Sequence, residues 1–151
     1  MFVAIRIRGL KAVRVDIRAA LDSLNLDRKH TCVFIDEKGK EGMLKKVKDY
    51  VAYGPVKKET VVQLIQKRGR RAGDLRISKE WLSTHKMVSV DALTDALISG
   101  KTTFSKLGMK PGFRLNSPKK GFEKGIKKPA SLKGPLGFHA EGVDALLVQM
   151  M

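Results

Sequence analysis

The stretch Thr31 to Pro55, TCVFIDEKGKEGMLKKVKDYVAYGP, decides the fold. Its first five residues are β-branched, aromatic or small and apolar, the composition of a strand. Asp36-Glu37-Lys38-Gly39 supplies a polar turn to end it. From near Gly42 the apolar spacing changes: Met43, Leu44, Val47 and Tyr50 lie three or four apart, so one side of a helix is buried. YVAYGPV then returns to an extended pattern, which Gly54-Pro55 stops.

Working outward to the N-terminus, FVAIRIR (Phe2 to Arg8) sets Phe2, Ala4, Ile5 and Ile7 against Arg6 and Arg8, a half-buried strand closed by Gly9. Ile17, Ala20, Leu21 and Leu24 follow at helical spacing, with Arg18, Asp22 and Ser23 on the other side and Asp16 placed to cap the helix. The order is β-α-β-α-β over residues 1–57. It predicts an α+β module, with helices on one face of a three-stranded sheet and the other face free.

Residues 58–151 form a mixed extension. Thr60 is placed to cap a helix with Val61, Val62, Leu64 and Ile65 inward, ending at Lys67, Arg68, Gly69, Arg70 and Arg71; the cations suit its negative end and Gly69 its C-cap. Leu75 to Ile77 reads as a short strand, and Ser78 to Leu82 as a turn into a short helix. Trp81 beside Leu82 is a better anchor for a small core than a stacking platform. Val90, Leu93, Leu97 and Ile98 make the inner side of another helix ending at Gly100, and Thr102 or Thr103 caps a turn through Phe104 and Leu107. Phe113-Arg114-Leu115 resumes an extended course. Beyond His139, Val143, Leu146, Leu147 and Met150 mark a final helix that folds back on the body.

Between these flanks runs KPGFRLNSPKKGFEKGIKKPASLKGPLG, Lys110 to Gly137. Eight Lys and Arg face Glu123 alone, a net +7 of the chain's +16. Glycines and prolines break any regular period, so the segment has little of its own to bury against the entropy of ordering it. Because both ends are pinned, it is an anchored loop rather than a free tail. A polyanion such as RNA is the economical partner for it; a merely solvated basic loop is the alternative.

The whole composition agrees. Hydrophobic content of 42% with 30% charged residues fits a globular chain, and 31 Lys+Arg against 15 Asp+Glu makes phosphate backbones the leading partner and anionic lipid the second. No apolar run is long enough to span a bilayer, and MFVAIRIRG lacks the order of a signal peptide, so a cytosolic protein without a membrane partner is expected. Cys32 is the only cysteine, which excludes an internal disulfide and reads as a small core residue.

Four stretches carry a resemblance. LNLDRKHTCVF (Leu24 to Phe34) followed by KEGMLKKVKDYVAYGPV (Lys40 to Val56) resembles the large-subunit ribosomal protein family numbered thirty in bacteria and archaea and seven in eukaryotes. LISGKTTFSKLGMKPGFRLNSPKKGFEKGIKKP (Leu97 to Pro129) and GFHAEGVDALLVQMM (Gly137 to Met151) resemble the extra C-terminal region of its archaeal members. The resemblance implies a ferredoxin-like fold and a structural role on large-subunit ribosomal RNA, with neighbouring ribosomal proteins as further partners. An assembly factor or RNA chaperone of the same fold is the alternative.

Nothing points to catalysis. His30, His85 and His139 are far apart and lack metal-ligand spacing, no phosphate-binding GxxxxGK[ST] loop occurs, and Asp91 and Asp95 fit a solvated helix face. No cofactor, metal or small-molecule substrate is expected. The candidate RNA contacts are Arg28, Lys29 and His30 before the second strand, and Gly42, Lys45 and Lys46 at the start of the second helix. Further along they are Arg68, Arg70 and Arg71, then Arg114, Lys119, Lys120, Lys124, Lys127, Lys128 and Lys133 of the basic segment, and His139.

Overall fold

A computed structural model of the chain describes residues 2–9, 11, 13–35, 40–84, 89–99, 102–104, 106–122 and 125–151, without the side chains of Lys79, Glu80 and Ser83. The turn at Asp36 to Gly39, His85, Gly100 and Lys124 lie outside the described residues.

The first module folds as its periodicities predict. Strand β1 (Phe2–Arg6), helix α1 (Val15–Ser23), strand β2 (Thr31–Ile35), helix α2 (Glu41–Val47) and strand β3 (Val51–Pro55) follow one another. β1 is antiparallel to both β2 and β3 and lies between them, opposing Ala4 to Val33 on one side and to Tyr53 on the other. The unit β2-α2-β3 is therefore a split β-α-β with β1 inserted. Asp16 does not cap α1. The helix begins one residue earlier, Arg14 holds the cap position without a side-chain hydrogen bond, and Asp16 in the first turn pairs with Arg14 and Lys46.

The extension adds helix α3 (Lys58–Arg68), a 3-10 turn at Ala72–Asp74, helices α4 (Lys79–Thr84) and α5 (Val90–Ile98), strand β4 (Gly112–Arg114), a 3-10 turn at Ala130–Leu132, strand β5 (Gly137–Phe138) and helix α6 (Asp144–Met150). Both new strands join the sheet, whose order is β4-β2-β1-β3-β5. β4 is antiparallel to β2 and β5 parallel to β3.

Helices α1 and α2 lie on one face of the sheet, as expected of the module, and the extension covers the face they leave free. Alternation sends Ala4, Val33, Ile35 and Val51 towards Leu21, Leu24, Leu44 and Val47 of α1, α2 and their flanks. It sends Val3, Ile5, Ile7, Cys32 and Ala52 to the opposite side, where Val61, Leu64 and Ile65 of α3, Leu93 and Leu97 of α5, Phe113, Val143, Leu147 and Met150 pack over them. Apolar residues in six of the first seven positions of the chain are therefore consistent with a central strand buried on both sides. Gly54 lies where a Cβ would run into the His139 carbonyl and come within 3.1 Å of Val143 Cγ2, so only glycine lets the extension sit this close.

Other details depart from the sequence reading. Thr60 is buried inside α3, whose cap position is Lys57, because the helix begins two residues before it. Gly69 does end α3, its N–H donating to the Ile65 carbonyl at 2.8 Å. Leu75 to Ile77 forms no strand; Arg76 makes a single bridge to Arg70. Ser89 Oγ caps α5 by accepting from Ala92 N–H at 3.2 Å, while Ile98, expected inward, is 45% exposed. Trp81 is half-buried against the core beside buried Leu82, as an anchor should be.

Candidate nucleic-acid interface

The described part of the basic segment is folded onto the body. Phe113, Leu115, Pro118, Gly134, Pro135 and Leu136 are buried, whereas Arg114, Lys119, Lys120, Lys127, Lys128 and Lys133 are exposed. Backbone bonds tie it down: Leu115 N–H donates to His30 O at 2.9 Å, Asn116 N–H to Met150 O at 2.9 Å and Lys119 N–H to Gln149 O at 3.2 Å. Apolar side chains and backbone anchor the segment while the cations face outward.

Three groups of cations result. The first lies at the β4 edge of the sheet, where pairing of Thr31 with Arg114 brings Arg114 beside Arg28. A cleft of about 270 Å³ there is lined by Asn25, Asp27, Arg28, Lys110, Gly112 and Arg114. Arg70 and Lys110 join through Asp74: Lys110 Nζ donates to its carboxylate at 3.0 Å and Arg70 Nη1 to its carbonyl at 3.3 Å. The Lys110 hydrogen bond and charge, then Arg70 and Arg114, hold the Asp74 carboxyl below the usual range.

The turn that carries Arg28, Lys29 and His30 is fixed from beneath by Arg6, which has no exposed surface although the pattern of β1 assigns it to the polar side. Its Nη1 donates to Leu26 O at 2.5 Å and Asp27 O at 2.9 Å, and its Nε to Arg8 O at 3.0 Å. His30 completes the turn in the left-handed region, φ 63°, with its N–H donating to Arg6 O at 2.7 Å. Burial, then the charge of Lys29, pushes the His30 imidazole below its ordinary pKa. Its ring is therefore neutral at pH 7.

The second group surrounds a cleft of about 250 Å³ beside α6, where Lys120, Lys133 and His139 converge with Phe122 and Gln149. His139 Nε2 lies 3.1 Å from Pro135 O, so that nitrogen carries the proton. The third group places Lys127 next to Lys48 in a neighbouring cleft, with Tyr53 and Phe138 between them and the rest of the sheet edge.

The remaining candidates are placed differently. Gly42 is exposed in α2, but Glu41 occupies the first turn of that helix and pairs with Lys45 at 3.9 Å, while Lys46 pairs with Asp16 at 3.7 Å. A carboxylate thus already sits at the positive end. Arg68 Nη2 donates to Met151 O at 2.7 Å, which ties α3 to the C-terminus. Arg71 bridges Met109 and lines an open groove with Trp81 and Lys106. Lys48 and Lys106 are not among the residues that sequence alone singles out, and Lys110 is read there as one charge of the basic segment but not as a contact; only tertiary pairing places them beside the others.

Among the described residues no group of three His, Cys, Asp or Glu is placed to hold a metal ion. Burial pushes the Cys32 thiol far above its ordinary range, leaving it inert as a nucleophile. Such features define a small cationic α+β protein with clefts lined by lysine and arginine. Comparison with known proteins supplies the particular family. The model of Ribosomal protein L30p/L7e matches residues 2–51, from β1 to the start of β3. The chain is 43% identical to the large ribosomal subunit protein uL30 of Methanococcus vannielii over 99% of both chains. It is 35% identical to that of Desulfurococcus amylolyticus over 100% of this chain and 98% of the relative, and 36% identical to that of Nanoarchaeum equitans over 99% and 97%. The chain belongs to the L30p/L7e family of ribosomal proteins, which are structural components and not enzymes.

Proposed function

We propose that the chain is a structural constituent of the large ribosomal subunit, in the cytoplasm, and that it clamps separate segments of ribosomal RNA through its three cationic groups. The observation that carries this reading is their separation: one fold holds Arg28, Arg70, Lys110 and Arg114 at one sheet edge, and Lys120, Lys133, Lys127 and Lys48 around the other edge and α6. Each lysine or arginine placed on a phosphate releases condensed counterions, which favours association and makes it salt-dependent. Because the body orders the backbone beneath these side chains, less entropy is lost on binding. Side chains cannot read the deep groove of A-form RNA, so recognition follows backbone shape and unpaired nucleotides.

Sedimentation of gently prepared extract tests this. The protein should travel with the large subunit at about one copy per particle and leave it only at high salt. Recovery as free protein would refute the reading, and recovery on precursor particles alone would replace it with an assembly factor.

A further inference from the structure

The face of the sheet under α1 and α2 is not apolar to its end. Phe2 of β1, Tyr53 of β3 and Phe138 of β5 project from that face, since Ala4 opposes Tyr53 and Tyr53 opposes Phe138 in register. α2 is only seven residues long, and Leu44, Lys45 and Glu41 on it form the opposite wall of an open cavity of about 310 Å³ whose floor is the three rings. Phe138 lies 6.3 Å from Phe2, centroid to centroid, with planes 32° apart, and 5.6 Å from Tyr53 at 46°. The rings lean against each other and leave Phe138 50% exposed. Water-exposed aromatic area of this kind is costly in a protein with only nine aromatic residues in 151 unless something stacks on it.

The charge around the cavity selects the occupant. Lys45 stands on one side, paired with Glu41 at 3.9 Å, and the adjoining cleft, which shares Tyr53 and Phe138, carries Lys48 and Lys127 with Asp49 on the other, so the lining keeps a net positive charge. A planar, uncharged ring on a polyanionic strand matches both the aromatic floor and the cationic rims; an apolar peptide matches only the floor. We propose that Phe2, Tyr53 and Phe138 form a stacking cradle for one unpaired nucleobase, with a flanking phosphate against Lys48 and Lys127, a site that rests on the RNA-binding reading above. Burial first, and the charge of Glu41 second, raise the Tyr53 phenol above its ordinary pKa, so the ring stays uncharged in the cradle.

The test measures binding of the full chain to single-stranded octaadenylate and to an abasic ribose-phosphate strand of equal length, at one low salt concentration. The parent should prefer octaadenylate. Phe138→Leu, which keeps apolar bulk but removes the π face, should weaken octaadenylate by about five- to a hundred-fold and leave the abasic strand unchanged. Phe138→Trp should retain the preference. Equal binding of both strands by the parent, or equal effects of Phe138→Leu on both, would overturn the cradle and leave the phosphate contacts intact. Binding of neither strand would remove RNA recognition itself and the cradle with it. A photocrosslinking side chain at position 138 in the assembled subunit should give a nucleotide adduct, and a protein adduct would overturn the assignment.

Discussion

Replacing Arg6 by methionine tests how the first cationic group is held. The guanidinium is fully enclosed, and burial lowers its pKa, only partly offset by Asp22 and Asp27. Three donor contacts, to Leu26 O, Asp27 O and Arg8 O, compensate in part, while the buried Nη2 has no partner. Methionine fills much of the same volume and removes a buried charge whose desolvation costs several kcal/mol, so most of the lost hydrogen bonding is returned. What is not returned is the partner of Leu26 O, since Leu26 is buried, and an unsatisfied buried acceptor costs about 1–3 kcal/mol. At about 2–4 °C per kcal/mol for a chain of this size, Arg6→Met should melt about 2–12 °C below the parent. Arg6→Lys keeps the buried charge but puts one ammonium in place of the Nε and Nη1 that together reach three carbonyls, and should cost more, about 3–5 kcal/mol. Circular dichroism in urea ranks the three proteins, and amide exchange at His30 and Leu115, which bond to Arg6 O and His30 O, reports the turn itself. A methionine variant as stable as the parent, with unchanged exchange at both amides, would show that Arg6 does not hold this turn.

Gly54→Ala should destabilise by about 1–3 kcal/mol because the added methyl meets the His139 carbonyl, whereas Gly42→Ala, with nothing within 4 Å and inside α2, should stabilise by about 0.5–1 kcal/mol; urea midpoints that move together would contradict the packing at Gly54. The lowered pKa of folded His30 means that below pH 6.5 the unfolded chain takes up a proton that the folded chain resists. Its contribution to stability is thus present above that pH and lost as pH falls towards the folded pKa. His30→Asn, which tolerates φ 63°, should lack that loss, and a flat difference in stability between parent and variant from pH 7 to 5 would refute it. Charge reversal at Lys119, Lys120, Lys127 and Lys128 should weaken binding to large-subunit RNA and flatten its salt dependence by about 0.7–0.9 for each phosphate left unneutralised; an unchanged slope would mean that these lysines only solvate the segment.

How much is legible in the sequence follows the range of the interactions. β1, β2, β3 and the helices with Leu21, Leu64, Leu93 and Leu147 inward announce themselves through local period, which side-chain burial alone enforces. β4 and β5 have three and two residues, too few for a period, and exist because β2 and β3 offer open edges. Arg6 has the look of the wet side of a half-buried strand, since nothing local reveals that the Leu26 and Asp27 carbonyls turn back over it. The same holds for the interface. Lysines and arginines in the basic segment are readable as exposed, but the meeting of Arg114 with Arg28 depends on strand register, and that of Lys127 with Lys48 on the course of a long loop.

The position of β4 and β5 has a consequence for the protein before it meets any partner. A three-stranded ribbon of β2, β1 and β3 would carry two bare rims of amide and carbonyl groups, each a template on which another copy could polymerise. Residues 112–114 and 137–138 hem both rims with strands too short and too irregular to recruit a neighbour. The C-terminal half therefore covers the two rims along which a second copy of the sheet could pair.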